Sequence, residues 1–203
     1  KEERTRMAKS SHTYLIEQVQ RVGPTSVSTS LDLNFNHPVK ALYWVNQRSQ
    51  YATATSSGTC DATLNSDATD GTATGDYFNY MSAASPVSEV INGQTQNHAF
   101  TEANIKLNSQ DRFALQKASY FNKVQTERHW GHVPSKHIYC YSFALNPLNV
   151  QPSGTCNFSR IDKAQLVYSG STGTNDSVQT TVYAVNYNVL RIMSGMGGLA
   201  YSN

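Results

Sequence analysis

The chain has 203 residues and a formal net charge of +2 at pH 7, and 15% of its residues are charged. This length suits one good-sized domain or two small ones. The weak net charge does not indicate a concentrated basic face for nucleic acid, and no apolar run is long enough for a membrane-spanning helix. At the start of the chain, the mixed charges of "KEERTRMAK" indicate a solvated segment.

Apolar residues that alternate with polar ones predict short β-strands along most of the chain. In 26–35, for example, Val27, Leu31, Leu33 and Phe35 share one face. Segments 137–145 and 181–193 are apolar on both faces, which predicts that both are central strands of a two-layer fold. Segment 112–122 has a short helical pattern. The predicted strands are 13–21, 26–35, 40–46, 103–107, 137–145, 163–169 and 181–193.

Seven or eight short strands with polar turns indicate an antiparallel sandwich or barrel. Without residues 48–100 about 150 residues remain, which suits an eight-stranded jelly roll. Within this insertion, Thr, Ser, Ala, Gly and Asp dominate 53–75, so this stretch cannot build a core and is predicted to be an exposed excursion. A plain disordered loop is the alternative, although the cluster Tyr77, Phe78, Tyr80 and Met81 gives the insertion something to bury.

The three cysteines are Cys60, Cys140 and Cys156, with wide spacings and no CxxC pair. This count argues against a disulfide scaffold or a zinc knuckle and fits a reducing compartment. Cys156 could be a nucleophile only with a lowered pKa and a base nearby, and no motif links it to a histidine. We therefore expect Cys156 to be a small, half-buried packing residue.

Three histidines, His129, His132 and His137, lie within nine residues in "HWGHVPSKH". They could in principle hold a metal, but their spacing favours chelation only on a helix. Gly131 and Pro134 argue against a helix there, so a loop without metal is the expectation. The terminal run "SGMGGLAY" (194–201) is expected to use its glycines for tight packing against other backbone.

Two long stretches of the chain carry a specific resemblance: "YSFALNPLNVQPSGTCNFSRID" (141–162) and "AVNYNVLRIMSGMGGLAYSN" (184–203). Both resemble the C-terminal jelly roll of the major capsid protein of nucleocytoplasmic large DNA viruses, most closely its algal-virus and giant-virus branches. Two shorter runs agree: "LNSQDRF" (107–113) is similar to the family's L-N-G-x-D-R-F, and "NFNHPVKALYWV" (34–45) to its N-x-x-H-P-V-K strand. Ser109 stands where the family usually has Gly, so a turn with positive φ there would be less favourable.

The resemblance implies a double jelly-roll subunit. Residues 1–12 would be the connection from a preceding jelly roll, and 13–203 the second jelly roll with its insertion. Three subunits would form a homotrimer of pseudo-hexagonal outline, and these capsomers would tile an icosahedral shell. Long insertions in the family rise from the outer end of the capsomer, so 53–75 is expected to face outward and 77–81 to be partly buried.

The resemblance also implies partners and a location. The partners are copies of the same protein, neighbouring capsomers and minor capsid proteins, in a virion assembled in the host cytoplasm. We expect no enzymatic activity, no cofactor, no metal, no direct nucleic-acid contact and no membrane insertion. An internal membrane beneath the shell is compatible with this arrangement.

The corner within 141–162 has a structural interpretation, since Pro152, Ser153 and Gly154 predict a tight turn. Arg160 and Asp162 would lie on one side of an extended segment. We expect Arg160 to lock the corner through charge-assisted hydrogen bonds to carboxylates or carbonyls of a neighbouring strand or subunit.

Asn175 begins one of two N-x-S/T sequons, the other being at Asn157. Its Gly/Ser/Thr-rich turn makes Asn175 the candidate for surface glycosylation.

Two other classes of function stay open from the residues alone. A carbohydrate-binding jelly roll would be supported by the Tyr-rich strands, although most of these tyrosines alternate and do not line one face. A metal-dependent jelly-roll enzyme would be supported only by His129, His132 and His137.

Overall fold

The structure is a computed structural model that describes residues 2–26, 29–48, 87–91, 94–169 and 178–201. Within these ranges the chain begins with helix α1 (Glu2–Lys9) and continues mainly as strands. The strands are β1 (His12–Ser26), β2 (Ser30–Asp32), β3 (Pro38–Arg48), β4 (Val87–Ile91), β5 (Gln94–His98), β6 (Glu102–Leu107), β7 (Gln110–Asp111), β8 (Gln116–Lys117), β9 (Ile138–Ser142), β10 (Cys156–Asn157), β11 (Ala164–Ser169), β12 (Val178–Met193) and β13 (Met196–Leu199).

Two antiparallel sheets form the body of the fold. In one sheet β12 lies between β1 and β3, β9 and β10 pair with β3, and β13 pairs with β12. The other sheet has the order β2-β11-β6-β7, with β8 also paired to β6, and β4 and β5 form a separate hairpin. The order β1-β12-β3-β9 facing β2-β11-β6-β7 is the strand order of an eight-stranded jelly roll, and the remaining strands are short additions. The predicted fold class is confirmed.

The core lies between the two sheets and is rich in aromatic side chains. Trp44 is 1% exposed and stacks on Tyr139 with ring centroids 5.9 Å apart, and Phe121 contacts Trp44 at 5.2 Å. The alternation predicted for 26–35 is confirmed where the structure describes it, because Leu31, Leu33 and Phe35 are all buried. Only Ser30–Asp32 pairs as a strand, however, and the residues after it continue as irregular backbone in which buried and exposed side chains still alternate.

The register separates two ends of the jelly roll. Arg48 pairs with Val178 and Ser26 with Gln179, so β3 ends next to the start of β12 at this end, here called the insertion end. At the other end His12 pairs with Ile192, and the segment 143–163 follows β9 there. We call this second end the motif end, because it carries most of the stretch 141–162.

The prediction of two central strands is right for β12 and wrong for β9. Among the described residues β9 pairs only with β3, so it lies at the edge of its sheet. The side of β9 that faces away from β3 is covered by helical backbone instead of by another strand. The Asn122 side chain donates hydrogen bonds to the carbonyl oxygens of Lys136 (3.3 Å) and Ile138 (2.8 Å), which satisfies groups that a neighbouring strand would otherwise bind.

The helix predicted over 112–122 is placed too early. A π-helical turn covers Tyr120–Val124, and helix α2 follows over Gln125–Trp130. The β-branched residues Val124 and Thr126 lower helix propensity, but the burial of Phe121, Asn122 and Thr126 outweighs this cost. Gly131 ends α2 in the left-handed conformation with φ 66°.

Several predictions fall outside the described residues: 53–75, the cluster 77–81, Cys60 and Asn175. The prediction for the terminal glycines is wrong, because a Cβ at Gly195 or Gly198 would have no neighbour within 4 Å. These glycines belong to an exposed turn and strand.

No helix among the described residues is long and apolar enough to cross a membrane.

Candidate assembly surface at the motif end

The segment of Pro152, Ser153 and Gly154 is held by a neutral side chain. The Ser153 hydroxyl accepts a hydrogen bond from the backbone N–H of Asn146 (2.9 Å) and donates to the Asn146 carbonyl (3.2 Å). Gly154 has φ 140°, a conformation that side chains with a Cβ rarely adopt. The predicted position of the tight turn is wrong: Pro152–Gly154 is irregular backbone, and the turn covers Asn146–Asn149, where the Asn149 N–H donates to the Asn146 carbonyl at 3.2 Å. Ser153 closes the loop that begins at Asn146.

The segment after the turn is also anchored by neutral groups. Phe158–Arg160 is a 3-10 turn, and the Asn157 side chain caps it by accepting from the Ser159 N–H at 3.1 Å. The Ser159 hydroxyl accepts from the His37 N–H at 2.8 Å, and the Phe158 N–H donates to the His37 carbonyl at 3.1 Å. Sequence reasoning missed these anchors, although Asn and Ser next to a turn are typical capping residues.

Asn108 supplies a further anchor across the fold. Its side-chain oxygen accepts hydrogen bonds from the backbone N–H groups of Asp162 (3.0 Å) and Lys163 (3.2 Å). The Asn108 N–H donates to the Lys163 carbonyl at 2.7 Å. The stretches 107–113 and 141–162, which both carry the resemblance noted in the sequence, therefore contact each other and stabilise each other.

The expectation that Arg160 and Asp162 share one side of an extended segment is wrong, because Arg160 ends the 3-10 turn. Both side chains are exposed. Arg160 forms no salt bridge or side-chain hydrogen bond within the part of the chain that the structure describes. A planar guanidinium in an exposed position is suited to bidentate hydrogen bonds with carboxylates.

Lys40 is the charged group that organises the motif end. Its side chain is 6% exposed, its ammonium contacts the carboxylate of Glu17 on β1, and it donates to the Pro147 carbonyl at 2.8 Å. The ammonium also lies 5.5 Å from the centroid of the Tyr187 ring. A buried charge with these partners is compensated by an ion pair, a hydrogen bond and a cation–π contact. Lys40 thus ties β1, β3 and β12 to the loop that contains Pro147.

The thiols have the character of packing groups. Burial raises the pKa of Cys140 to about 12, and its thiol donates to the Phe121 carbonyl at 3.6 Å. Burial also raises the pKa of Cys156, which packs against the core from a half-buried position. A raised pKa keeps both thiols protonated at neutral pH, so neither has the ionised form that a nucleophile needs.

The three histidines are not brought together as a metal site. His129 lies in α2, contrary to the expected loop, while His132 and His137 follow the end of that helix. Over the residues the structure covers, no group of three His, Cys, Asp or Glu side chains is placed to hold a metal. Of the tyrosines in the strands, Tyr139, Tyr141 and Tyr168 belong to the core, and Tyr187 is buried outside it.

Comparison with known proteins places this geometry in a family. Residues 3–198 match the family described as large eukaryotic DNA virus major capsid protein. The chain is 42% identical over 236 aligned positions to the major capsid protein of Paramecium bursaria Chlorella virus 1, covering 100% of this chain and 51% of that protein. It is 39% identical to the major capsid protein of Phaeocystis pouchetii virus, with the same coverage of both chains.

Comparison with solved structures points to the same family. The crystal structure of PBCV-1 VP54, fitted into a cryo-EM reconstruction of the virophage Sputnik, matches with a TM-score of 0.71 and 41% identity, over 100% of this chain and 54% of that one. The Faustovirus major capsid protein shares the fold alone, with a TM-score of 0.57 and 16% identity over 89% of this chain and 33% of that one. The chain thus spans about half the length of the relatives it matches. Together with the jelly-roll order of its strands, these matches show that the chain belongs to the family of large eukaryotic DNA virus major capsid proteins.

Proposed function

We propose that this chain is the second jelly roll of a structural capsid subunit, which forms homotrimeric capsomers that tile an icosahedral viral shell. The observation that carries the proposal is the 42% identity over the whole chain to a major capsid protein. A second support is the match, at a TM-score of 0.68, to a structure described as a quasi-atomic model of the PBCV-1 virus capsid.

The physical character of the motif end agrees with a structural role. Its polar side chains are used to hold backbone, as Ser153, Ser159 and Asn108 do, and Lys40 is compensated by neighbours in the same chain. A shell subunit needs a fixed shape more than it needs a reactive group, and these contacts fix shape. The proposal therefore includes no turnover and no cofactor.

In the proposed arrangement, residues 1–12 connect to a preceding jelly roll and 13–203 form the second one. The insertion 48–100 departs from the insertion end, and we assign that end to the outside of the particle. The motif end then faces the interior, where minor capsid proteins would bind. The proposed location is the virion, after assembly in the host cytoplasm, without direct contact to nucleic acid.

The oligomeric state of the full-length protein tests this proposal. Neighbouring jelly rolls in a ring of six bury large flanking surfaces, as obligate assemblies do. Sedimentation of the purified full-length protein at micromolar concentration is expected to give a trimer. A monomer as the sole species under those conditions would contradict the proposal.

A further inference from the structure

The hairpin formed by β4 and β5 enters the core through its last residue. Among the described residues these two strands pair only with each other, so no strand pairing joins them to either main sheet. His98 ends β5 opposite Val87 at the start of β4, and it is only 1% exposed. Ala99 and Phe100 follow it as fully buried core residues. His98 is therefore the point at which the hairpin is held on the body of the fold.

Tyr139 of β9 compensates the burial of His98. The Nδ1 atom of His98 lies 3.2 Å from the Tyr139 hydroxyl. Burial raises the pKa of Tyr139 above its ordinary value of 10, so the hydroxyl keeps its proton and can donate to the ring nitrogen. Nδ1 accepts a hydrogen bond only in a neutral imidazole that carries its proton on Nε2. The contact therefore favours neutral His98.

His137, the residue before β9, brings a second imidazole against His98. The two rings meet edge to face, with their centroids 5.2 Å apart. Burial, together with Lys123 of the π-helical turn and the adjacent Lys136, lowers the pKa of His137 below its ordinary value of 6.5. A proton on either ring would place a positive charge beside another imidazole and near two ammonium groups. Such a cluster favours two neutral histidines.

Acid acts against this arrangement, because histidine is the side chain that ordinarily gains a proton between pH 7 and 5. If His98 leaves the core with the end of β5, water reaches the side of the His137 ring that His98 covered. His137 then regains its ordinary affinity for a proton. The open form thus binds a proton that the closed form resists, and a falling pH shifts the equilibrium towards the open form.

We propose that His98, His137 and Tyr139 form an acid-sensitive latch, which holds the β4–β5 hairpin on the core at neutral pH and releases it in acid. We call these three residues the histidine latch. The inference goes beyond the proposed function and does not depend on it, because every contact of the latch lies within one chain. The released segment is the end of the insertion 48–100, so acid would change the insertion while both main sheets stay folded.

Hydrogen–deuterium exchange of the full-length protein, measured by mass spectrometry at pH 7.5 and 5.5, tests the latch. After correction for the intrinsic exchange rates, amide protection of 94–101 is expected to fall by about tenfold at the lower pH. The reason is that each proton bound only by the open form favours opening by up to about tenfold per pH unit. Segment 182–186 of β12 is the internal reference and should keep its protection.

Two outcomes of this measurement would overturn the inference. An equal loss of protection in 94–101 and 182–186 would mean that acid loosens the whole fold instead of one hairpin. Complete exchange of 94–101 already at pH 7.5 would mean that His98 does not hold this segment at neutral pH.

Three variants separate the titration of His137 from its packing, because each is judged by the ratio of protection between the two pH values. His137→Gln removes the titrating ring and should bring this ratio close to one. Lys136→Gln removes an exposed charge, which lets the pKa of His137 return towards its ordinary value, so the ratio should lie between those of His137→Gln and the wild type. His132→Gln is the matched control at an exposed histidine and should behave like the wild type. The same ratio in the wild type, His137→Gln and Lys136→Gln would show that the latch is wrong.

Discussion

A Cβ atom placed on Gly154 would lie only 2.8 Å from the carbonyl oxygen of Phe143. The Gly154 backbone also has φ 140°, so both space and conformation exclude a side chain at this position. The backbone at Gly154 therefore packs directly on Phe143, the first residue after β9, and this close approach sets the path of the whole corner.

Gly154→Ala should destabilise the protein by about 2 to 4 kcal/mol, from backbone strain and a clash with fixed backbone. Chemical unfolding measures the change. Gly131→Ala is the control, because Gly131 has φ 66° but no atom within 4 Å of a built Cβ, so only the smaller conformational cost of about 1 kcal/mol applies. Equal losses for the two variants would contradict the importance of the close approach.

Ser109→Gly should stabilise the protein by about 1 kcal/mol. Leu107 pairs with Gln110, and the two residues between them, Asn108 and Ser109, have φ 50° and 66°. This is the two-residue hairpin loop in which Asn followed by Gly is favoured, so Ser109 carries a strain that Gly would relieve. Urea unfolding of the variant checks the gain, and Ser109→Ala, which keeps the Cβ, should show none of it.

Arg160→Ala should leave the stability of the subunit within about 0.5 kcal/mol, as is usual for exposed side chains. If Arg160 binds a neighbouring subunit, assembly of the full-length protein should weaken, and Arg160→Lys should restore it only in part because Lys lacks the planar fork. Thermal unfolding and sedimentation separate the two effects. Normal assembly of both variants would end the proposal that Arg160 locks a contact between subunits.

Acid should weaken the fold partly through His137. Burial and the nearby Lys123 and Lys136 lower its pKa below the ordinary value of 6.5. As the pH falls below about 6.5, the unfolded chain takes up a proton that the folded chain resists, so stability decreases until the lower folded pKa is passed. His137→Gln should therefore show a smaller fall in melting temperature between pH 7.5 and 5 than the wild type. The exposed His132→Gln variant should behave like the wild type, and the same slope for all three proteins would exclude this role.

The strands were predictable where one face is buried, since the alternation of Leu31, Leu33 and Phe35 in the sequence reappears as burial. The edge position of β9 was not predictable, because a strand covered on one side by helical backbone has the same apolar pattern as a central strand. Lys40 was missed for a related reason. A lysine in a strand is normally solvated, and only the approach of Glu17 and Pro147 from distant parts of the chain compensates its burial.

The corner motif was predicted neither in the position of its turn nor in its mechanism. Pro, Ser and Gly indicate a turn locally, but the turn forms at Asn146–Asn149. Ser109 adopts the positive φ that would be less favourable for a residue other than Gly. The role given to Arg160 within the chain depended on an extended backbone. Capping by Asn157 replaced that backbone with a 3-10 turn, and Ser159 and Asn108 hold the corner instead.

The central claim is that this chain is part of the outer shell of a virion with its insertion directed outward. Limited proteolysis of intact, purified particles, followed by mass spectrometry of the fragments, tests it most directly. The account predicts that this protein is among the most abundant in the particles, that the first cuts fall within 53–75, and that 184–203 stays protected. Absence of the protein from the particles, or cleavage of 53–75 only after the particles are disrupted, would contradict it.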